Sequence, residues 1–542
     1  MYHVDNKHDF MFANNRQEPL CHANSRPMFS SYLRTLVLSC FVLVLAACGN
    51  KINDLPKKPR LDIPKTWQNA PASSSELDSE LDSELEANDE PSVQSTDSND
   101  DAVVPQENWL DSFDDAELQE YVALALKNNP DLLDSAAQLR SAIKQVSVAG
   151  SNLWPTISLN LGGRQNIQFF GSGADGALIE TTSRTVSQTI DITWEADIWG
   201  KLTQRKRAAA LSATAQAELF KAAELSLVAN LARAWYDLIT NKLQLDLAQR
   251  RLESFENTSN LIDENYQRGL RSALDVYLSR TDVQTQISAR ADAKFTYIQS
   301  LRTFKTLLGE YPSDDMEFRA KLPELENNVS IGLPAQLLTR RPDIRAGQLQ
   351  YEASIASARA AQRDLYPSLN FSGSIGDARN EFNSVVTDNP IETLVAGLVA
   401  PIFASGSLRD ARDQAYYQAE SAYANLLQTT LTAFEEVENS LSREATLNEQ
   451  HEAIKEAVKL AEGGLNLALD QYQAGIETYT TVLQSQRSLF SSLENELNIR
   501  NALLQNRIGL HLALGGDFRS IEERETYQPP SLEKKKQSEE VQ

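Results

Sequence analysis

The chain repeats one series of landmarks twice, and this internal duplication limits its possible folds more than any other feature. The paired landmarks are Asn129-Pro130-Asp131 and Arg341-Pro342-Asp343, Trp154-Pro155 and Tyr366-Pro367, Trp199-Gly200 and Ser405-Gly406, Tyr266-Gln267-Arg268-Gly269 and Tyr472-Gln473-Ala474-Gly475, and Leu308-Gly309 and Leu514-Gly515. The separation is 212 residues in the first two pairs and 206 in the other three, so the first copy has six extra residues before Trp199. We therefore expect two equivalent halves, each with the order helix, strand pair, long helix, turn and helix.

Two segments in each copy alternate between apolar and polar residues. The apolar positions are Ile157, Leu159 and Leu161, then Ile190, Ile192, Trp194, Ala196 and Ile198, and in the second copy Leu369, Phe371 and Ile375, then Leu394, Ala396, Leu398, Ala400 and Ile402. A period of two predicts strands with one apolar face and one wet face. Asp191, Glu195 and Asp197 lie on the second face, which indicates water there rather than a dry core.

Long helices are expected after each pair of strands. No glycine or proline occurs between Gly200 and Gly269, and within this run leucine recurs every seven residues, at Leu231, Leu238, Leu245 and Leu252. The spacing predicts a coiled-coil seam, and a continuous helix of this size would be roughly 100 Å long. Gly463-Gly464 interrupts the equivalent run of the second copy, where we expect a kink or a frayed turn. Returning helices follow, so Gly269 and Gly475 mark the tips of helical hairpins.

The inventory of reactive side chains argues against an enzyme. All three cysteines lie in the first 48 residues, and beyond them only His451 and His511 remain. A histidine- or cysteine-based catalytic centre is hard to build from these, and His511 is expected to be packed in a core because Leu510 and Leu512 flank it. The net charge of −24 also argues against a nucleic-acid partner. We predict a protein without catalysis, metal or cofactor, apart from a lipid modification.

The N-terminus has the features of an exported lipoprotein. Residues 36–47 form one apolar run, which is too short to span a bilayer as a helix and matches the core of a secretory signal. The run ends in Leu45-Ala46-Ala47-Cys48, which resembles a bacterial lipoprotein box and predicts an acyl chain such as palmitate on Cys48. In such proteins an aspartate after the cysteine favours the inner membrane, so Gly49 favours the outer one. We place the true start at Met28; the alternative is an ordinary signal peptide cut beside a cysteine.

The stretch 73–102 is expected to be an acidic linker without a fixed structure. It is of low complexity and contains neither lysine, arginine nor any aromatic residue. Such a composition cannot bury enough apolar surface to fold. A periplasmic interaction tail is the alternative.

Four amphipathic strands in one chain cannot close a membrane barrel. Open strand edges are not tolerated in lipid, and outer-membrane barrels need at least about eight strands. The chain is therefore expected to assemble through its strands with cyclic symmetry, and three copies would supply twelve strands. The long helical hairpins would then extend the channel wall across the periplasm.

Residues 105–518 resemble the TolC-like outer-membrane factors, in particular the lipoprotein branch of the OprM/NodT type. The opening motif of that family is matched by Trp109, Phe113, Asp115 and Leu118. Its central signature is matched by Pro334, Leu337, Arg340, Arg341, Pro342, Asp343, Ile344 and Arg345. The resemblance implies a mixed fold of α-helices and transmembrane β-strands: each repeat gives a β-hairpin and a coiled-coil hairpin, and the trimer has a twelve-stranded β-barrel continued by a periplasmic α-barrel.

On this resemblance the chain divides into six parts. They are the signal peptide (1–47), the lipid anchor and linker (48–104), the first repeat (105–309), an inter-repeat equatorial segment (310–333), the second repeat (334–515) and a C-terminal tail (516–542). The family forms the passive exit duct of tripartite efflux or export systems. The implied partners are two further copies of the chain, a periplasmic adaptor protein, an inner-membrane pump of the resistance-nodulation-division type and outer-membrane lipid.

The resemblance also implies the functional residues of the hairpin tips. Adaptor docking is expected at Tyr266, Gly269, Leu270, Tyr472, Gly475 and Ile476, and the aperture candidates are Asp275, Glu477, Thr481 and Gln484. Family members often carry aspartate at the last two positions, so the usual acidic ring is absent here. Where relatives pair an aspartate with an arginine, this chain has Asp275 and Glu477, which would repel each other unless Arg271 or Arg268 lies between them.

Two other functions remain open at this stage. A structural coiled-coil lipoprotein that tethers envelope layers would account for the cysteine and the seams, although not for the alternating strands or the duplication. An exit duct of a type I protein secretion system would share every feature described above.

Overall fold

The computed structural model describes residues 63–64, 66–69, 108–172, 177–325 and 334–519 of the chain. All of them belong to one structural unit, Lys58–Gln542. The predicted signal peptide, Cys48, most of the predicted linker and the end of the predicted tail lie outside the described residues.

The elements of the two repeats correspond one to one, as predicted. A 3₁₀ turn (Trp109–Phe113) and helix α1 (Ala116–Asn128) come first. The first repeat then comprises α2 (Pro130–Ser151), β1 (Thr156–Ser172), β2 (Ala177–Ala196), α3 (Lys201–Gln267) and α4 (Ala273–Leu307). After two short turns (Pro334–Gln336 and Leu337–Arg340), the second repeat comprises α5 (Pro342–Arg363), β3 (Ser368–Phe382), β4 (Val385–Val399), α6 (Ser407–Gln473) and α7 (Tyr479–Ala513). Equivalent helices have equal lengths of 22, 67 and 35 residues.

The four strands form one antiparallel sheet in the order β1-β2-β3-β4. The two hairpins share one register, since Thr156 pairs with Thr193 and Ser368 pairs with Val399. The repeats are joined by β2 and β3, whose pairing reaches Ala196 and Leu369. Among the described residues, β1 and β4 are therefore the edges of the sheet, and each offers one unpaired side.

The strands differ from the prediction in their extent. β1 continues to Ser172 and β2 begins at Ala177, far beyond the apolar alternation, because main-chain pairing does not depend on which side chain is present. β4 ends at Val399, before the predicted end at Ile402. Pro401 lacks the amide hydrogen that a ladder needs, which accounts for an early end.

Helix α6 stays helical through Gly463-Gly464, so the predicted frayed turn is wrong. An interior glycine costs only about 1 kcal/mol relative to alanine. Leu465 and Ala468 in the following turn are buried in a cluster with α3, α4 and α7. Packing on the next turn thus outweighs the local propensity of the two glycines.

The seam predicted on α3 is largely confirmed. Its buried leucines are Leu231, Leu238 and Leu252. Leu245 is half-buried, and Leu247 occupies the buried position instead. The heptad spacing of buried leucines therefore holds at both ends of this stretch, and between them the buried position moves from Leu245 to Leu247.

Trp235 lies at the centre of the main hydrophobic core, between α1, α3 and α4. Its indole Nε1 donates a hydrogen bond to Asp115 Oδ2 at 2.8 Å, and its ring lies 5.3 Å from that of Phe304. Asp115 also caps α1, because its side chain accepts a hydrogen bond from the Leu118 amide. The opening motif recognised in the sequence thus anchors the first helix to the long coiled coil.

Each long or returning helix ends in a glycine with positive φ. The values are +74° at Gly269, +76° at Gly309, +77° at Gly475 and +70° at Gly515. At each one, the amide of the glycine and that of the next residue donate to carbonyls of the last helical turn, which is a Schellman motif. The repeated Leu-Gly and Tyr-x-x-Gly landmarks are therefore helix stops.

Gly309→Ala is expected to destabilise the fold by about 2–4 kcal/mol. A side chain at this φ is strained, and its Cβ would lie 2.5 Å from the Asn128 carbonyl oxygen. Gly269→Ala is the matched control, because its φ is similar but nothing lies within 4 Å of an added Cβ. Thermal unfolding in detergent, followed by circular dichroism, should show the larger loss of Tm for Gly309→Ala. Equal losses would contradict the close approach.

His511 on α7 is packed, as predicted. Its ring stacks on Trp109 with centroids 5.7 Å apart, and it meets the edge of Phe113. Burial lowers the pKa of His511 to about 4, and its Nε2 has no hydrogen-bond partner among the described residues. The histidine is therefore a neutral member of the core.

The fold is expected to lose stability as the pH falls from about 6.5 to 4. In this window the unfolded chain binds a proton at His511 that the folded chain does not, so stability is complete above pH 6.5 and falls by about 3 kcal/mol towards pH 4. His511→Phe should flatten this dependence, whereas His451→Gln should leave most of it. Denaturant unfolding at pH 7 and pH 4.5 measures the slope; an unchanged slope in His511→Phe would rule out this origin.

Candidate functional site

One face of the sheet is apolar and open. Residues in register across the strands form four apolar rows: Leu159, Ile190 and Ile375; Ile157, Ile192 and Leu394; Trp194, Phe371 and Ala396; and Ala196, Leu369 and Leu398. Many of these side chains are more than half exposed, and Leu394 reaches 86%. A contiguous apolar face of this extent is unfavourable in water and is the outward band of a membrane-spanning sheet. This face has the character of a lipid-facing surface.

The opposite face is polar, as the alternation predicted. At its centre the Asp191 carboxylate accepts hydrogen bonds from Asn160 Nδ2 on β1 and Ser374 Oγ on β3. Further along the same face, Thr185 Oγ1 donates to Asn380 Oδ1 at 2.8 Å. Polar groups bridging three strands would be costly against hydrocarbon, so this face borders water.

Aromatic side chains collect where the sheet meets the helices. Trp194 stacks on Phe371 at 5.5 Å, and Trp199 Nε1 donates to the Pro367 carbonyl at 2.6 Å. Trp154 is 72% exposed at the same end. Tryptophan prefers the interface between lipid and water, so these residues are of the kind that lies at such a boundary.

The strands are longer than a membrane crossing requires. β1 has 17 residues and β2 has 20. At about 3.3 Å per residue, β1 is roughly 56 Å long, against a hydrocarbon core of about 30 Å. The four apolar rows lie in the half of the sheet nearest the helices, and Phe169, Leu178 and Phe382 are exposed near the far ends of the strands.

The two hairpin tips share one backbone structure. Gly269 and Gly475 have no atom within 4 Å of an added Cβ, so the backbone is accessible at both turns. The aliphatic residues that follow them, Leu270 and Ile476, are 67% and 74% exposed. An open glycine beside an exposed aliphatic side chain suits close approach by another helix.

The tyrosines of the two tips differ, although their sequence motifs match. Tyr266 is about half exposed, whereas Tyr472 is fully buried. The guanidinium of Arg271, in the first tip, lies 4.0 Å from the Tyr472 ring centroid and donates to the Tyr472 carbonyl at 2.5 Å. Burial raises the pKa of the Tyr472 hydroxyl. Arg271 therefore ties the first tip to the second.

The aperture candidates lie just beyond the tips. Thr481 Oγ1 donates to Glu477 Oε2 at 2.9 Å, and Gln484 is exposed. Asp275 lies in the first turn of α4, where its amide donates to the Ser272 hydroxyl. This turn caps the helix and leaves the carboxylate half-buried.

The cations proposed to separate Asp275 and Glu477 have other partners. Arg271 contacts Tyr472, as described above, and Arg268 lies 3.7 Å from Glu264 on its own helix. Among the described residues, neither Asp275 nor Glu477 forms an ion pair. The expectation that Arg271 or Arg268 joins these carboxylates is therefore wrong for this conformation.

A buried charged cluster joins the two hairpins, and the sequence analysis missed it. Asp282 of α4 is 7% exposed and accepts hydrogen bonds from the Tyr479 hydroxyl at 3.0 Å and from Arg487 Nη2 at 2.9 Å. Both donors lie on α7. Burial and the adjacent Asp282 raise the pKa of the Tyr479 hydroxyl. In the sequence, this cluster could have been predicted only from the spacing of three polar residues, Ser279, Asp282 and Gln286, at the three- and four-residue intervals of a buried helix face. All three are buried.

A second polar layer lies next to this cluster. Gln486 of α7 is fully buried and donates through Nε2 to Thr258 Oγ1 at 2.8 Å and Ser254 Oγ at 3.1 Å, both on α3. Its Oε1 is buried without a hydrogen-bond partner among the described residues. The hairpins therefore meet near the tips through polar side chains rather than through a wholly apolar seam.

The central signature lies far along the chain from the tips and forms a joint. Its buried members are Pro334, Leu337, Arg341, Pro342 and Ile344. Arg341 pairs with Asp343 and with Glu436 of α6, and its Nη1 also donates to the Ala513 carbonyl of α7 at 3.2 Å.

Two further residues of the signature complete the joint. Arg345 reaches Glu218 of α3 at 3.5 Å, and the backbone of Arg340 lies against Gly515. In the first repeat, Asn129 replaces Arg341 and donates to the Leu307 carbonyl at 2.9 Å. The signature therefore joins α5, α6 and α7 of the second repeat and also links α5 to α3 of the first repeat.

No helix among the described residues is long and apolar enough to cross a membrane. The sheet has one apolar and one polar face, as described above. Together with two long helical hairpins, this defines a class of protein: a subunit of a membrane channel whose passage continues into a helical tunnel.

Comparison with known proteins identifies the family. The chain belongs to the outer membrane efflux protein family, whose model matches residues 121–310 and 333–516. The toluene efflux pump outer membrane protein TtgF of Pseudomonas putida is 30% identical over 76% of this chain and 86% of the relative. The pyoverdine export outer membrane protein OpmQ of Pseudomonas aeruginosa is also 30% identical, over 76% of this chain and 88% of its own length. Members of the family are transport proteins of the Gram-negative outer membrane.

A solved structure has the same fold. The CmeC outer membrane channel of Campylobacter jejuni superposes with a TM-score of 0.70 over 82% of this chain and 98% of that one, at 19% identity. The predicted resemblance to TolC-like factors is confirmed.

Proposed function

We propose that three copies of the chain form the exit duct of a tripartite efflux system, which conducts its cargo passively. One observation carries this proposal: a four-stranded sheet with a lipid-facing side has two unpaired edges, β1 and β4. Lipid does not tolerate unpaired backbone groups, and four strands are too few to close on themselves. Pairing β4 of one copy with β1 of the next removes every edge when the ring closes.

The polar face then lines the lumen. In a ring of three, the Asp191 network would occur three times around the inside of a twelve-stranded barrel. Six helical hairpins would continue the wall into the periplasm for roughly 100 Å. Such a lumen is wide and filled with water, so transport through it needs no cofactor and no catalysis by this chain.

Native mass spectrometry and planar-bilayer recording test the proposal together. Protein purified in detergent should be a trimer and should form discrete channels. A structural tether would give neither result. Protein that stays monomeric and water-soluble without detergent, after removal of its anchor, would end the proposal.

We also propose that the tips dock a periplasmic adaptor, which connects the duct to an inner-membrane pump of the resistance-nodulation-division type. The support is the open backbone at Gly269 and Gly475 and the exposed Leu270 and Ile476. Leu270→Asp with Ile476→Asp should abolish capture of a co-expressed periplasmic adaptor. Tyr311→Asp, at an 85% exposed site away from the tips, should leave capture intact.

The aperture candidates support a gate at the same end. Asp275 and Glu477 carry like charges close to their tips, and we propose that the open and closed states differ in how these charges are spaced. Glu477→Arg would create an opposite pair with Asp275 and should lower the open probability in bilayers. An unchanged open probability would exclude Glu477 from the gate.

A lipid on Cys48 is proposed to hold the mature chain at the outer membrane. The support is the apolar run 36–47 that ends in the lipoprotein-like box. Metabolic labelling with palmitate should mark the wild type and not Cys48→Ser. Label retained in Cys48→Ser would refute the assignment.

A further inference from the structure

Helix α6 carries an open groove near the sheet, on a side that no strand covers. It is lined by Asp410, Asp413, Gln414, Tyr417, Gln418 and Ser421 and has a volume of about 620 Å³. Tyr417 is 70% exposed. We call this surface the α6 groove. All its lining residues come from one helix, so a second element is needed to complete it.

The internal repeat shows what fills the equivalent groove. Residues of α6 correspond to residues of α3 that lie 206 positions earlier, so Gln414 and Ser421 correspond to Ala208 and Ala215. Both alanines are buried, and α5 packs along α3 on this side. The helix equivalent to α5 is α2, which packs on α3 of its own copy. The α6 groove therefore matches an α2 helix that a second copy would supply.

The contacts of α5 with α3 set the register of that helix. Arg345 reaches Glu218, and Arg363 Nη1 donates to the Gly200 carbonyl at 2.7 Å. In an antiparallel pair of helices, the residue numbers at facing positions have a constant sum, and both contacts give 563. A residue of α2 has a number 212 lower than its equivalent in α5, and a residue of α6 has a number 206 higher than its equivalent in α3. Facing positions of α2 and α6 therefore have residue numbers that sum to 557. In the antiparallel pair of α2 and α6, position 144 then falls opposite 413 and position 140 opposite 417.

The residues at those positions are complementary in charge. Helix α2 contains two basic residues, Arg140 and Lys144, and both are exposed. The repeat register brings Lys144 opposite the carboxylate of Asp413 and Arg140 opposite the ring of Tyr417. An ammonium beside a carboxylate and a guanidinium over a tyrosine are both favourable contacts. The register was derived from the contacts of α5 with α3 and from the repeat offsets, without reference to the side chains of α2 and α6, so this match is an independent observation.

We infer that the α6 groove binds helix α2 of a second copy of this chain, with Lys144 of the neighbouring copy paired to Asp413 and Arg140 of the neighbouring copy against Tyr417. The inference rests on the proposed trimer and specifies one of its helical contacts. Asp413 already pairs with Arg412, 2.6 Å away on the same helix, so Lys144 of the neighbouring copy would be its second cationic partner. The equivalent contact within a copy likewise combines small buried residues with an ion pair, Arg345–Glu218.

Thiol cross-linking in isolated outer membranes tests the register, because the chain has no cysteine beyond residue 48. Lys144→Cys and Asp413→Cys are placed in separate chains and co-expressed. A short bis-maleimide should then give a covalent dimer of the two tagged chains. The control replaces Asp413→Cys by Glu420→Cys, seven residues along the same side of α6, or about 10 Å. The matched pair should give at least about tenfold more dimer than the control.

Charge reversal provides the second test. Lys144→Asp or Asp413→Lys alone should lower the trimer fraction in detergent at low salt by roughly tenfold, and the double reversal should restore it. Equal cross-linking in both cysteine pairs, or no rescue by the double reversal, overturns the inference while the wild-type trimer stands. A wild type that is monomeric in its native mass spectrum would instead overturn the proposed function.

Discussion

Gly376→Val is expected to prevent the chain from forming a folded membrane sheet. Gly376 lies on β3 opposite Thr189 of β2. An added Cβ would overlap the carbonyl oxygen of Gln188 and lie 2.8 Å from the Thr189 Cα. These are backbone atoms of a paired strand and cannot rotate away, so the two repeats would separate along the β2–β3 ladder. A loss of this kind exceeds about 4 kcal/mol, which is enough to unfold many domains.

Gly397→Val is the matched control for this substitution. Gly397 also lies in the sheet, and it points to the same polar face because it pairs with Asn370. Nothing lies within 4 Å of a Cβ added there. Heat-modifiable migration of outer-membrane fractions on gels should show folded trimer for Gly397→Val and none for Gly376→Val. Normal trimer in both variants would mean that the β2–β3 ladder adapts to a side chain.

Arg487→Glu is expected to open the periplasmic end of the channel. Arg487 donates to the buried Asp282, and the substitution would set two carboxylates against each other where water is scarce. Breaking a buried ion pair costs about 3–5 kcal/mol, and Arg487 is itself half exposed, so roughly half of this is expected. A change of about 2 kcal/mol against the closed state would raise the ratio of open to closed channels roughly thirtyfold. Single-channel recording in planar bilayers measures that ratio.

Lys459→Glu is the control for the charge change. Lys459 forms an exposed pair with Glu456 on α6, and such pairs contribute about 0–1 kcal/mol. The open probability of the Lys459→Glu channel should match that of the wild type. Adding Asp282→Asn to Arg487→Glu should reverse most of the opening, because the repulsion is then removed. Wild-type gating in Arg487→Glu would show that the Asp282 cluster is structural only.

Much of the fold was predictable because its elements are periodic and long. Strict alternation identified the strands, and heptad leucines identified α3. Element ends were less predictable: β1 extends to Ser172 although its apolar alternation ends at Leu161, since main-chain pairing continues without apolar side chains. Gly463-Gly464 were expected to disturb α6, but buried residues in the next turn hold the helix.

The hairpin tips were predictable in position but not in detail. A glycine after a long helical run identifies a turn, and both turns were found where expected. The sequence could not show that Tyr472 is buried under Arg271 while Tyr266 is exposed, because the two tips differ only in what packs beside them. The Asp282 cluster was missed for the same reason, since Asp282 and Arg487 are 205 residues apart.

The sequence by itself determined the two repeats and their helices and strands. These properties follow from local periodicity, and a repeat is visible as spacing between residues. The tertiary structure alone decided which side chains meet: Arg341 joins α6 to α7, Asp282 joins α4 to α7, and the sheet keeps two open edges. Contacts between distant segments depend on how helices are rotated about their axes. That rotation is a property of the packed molecule rather than of any one segment.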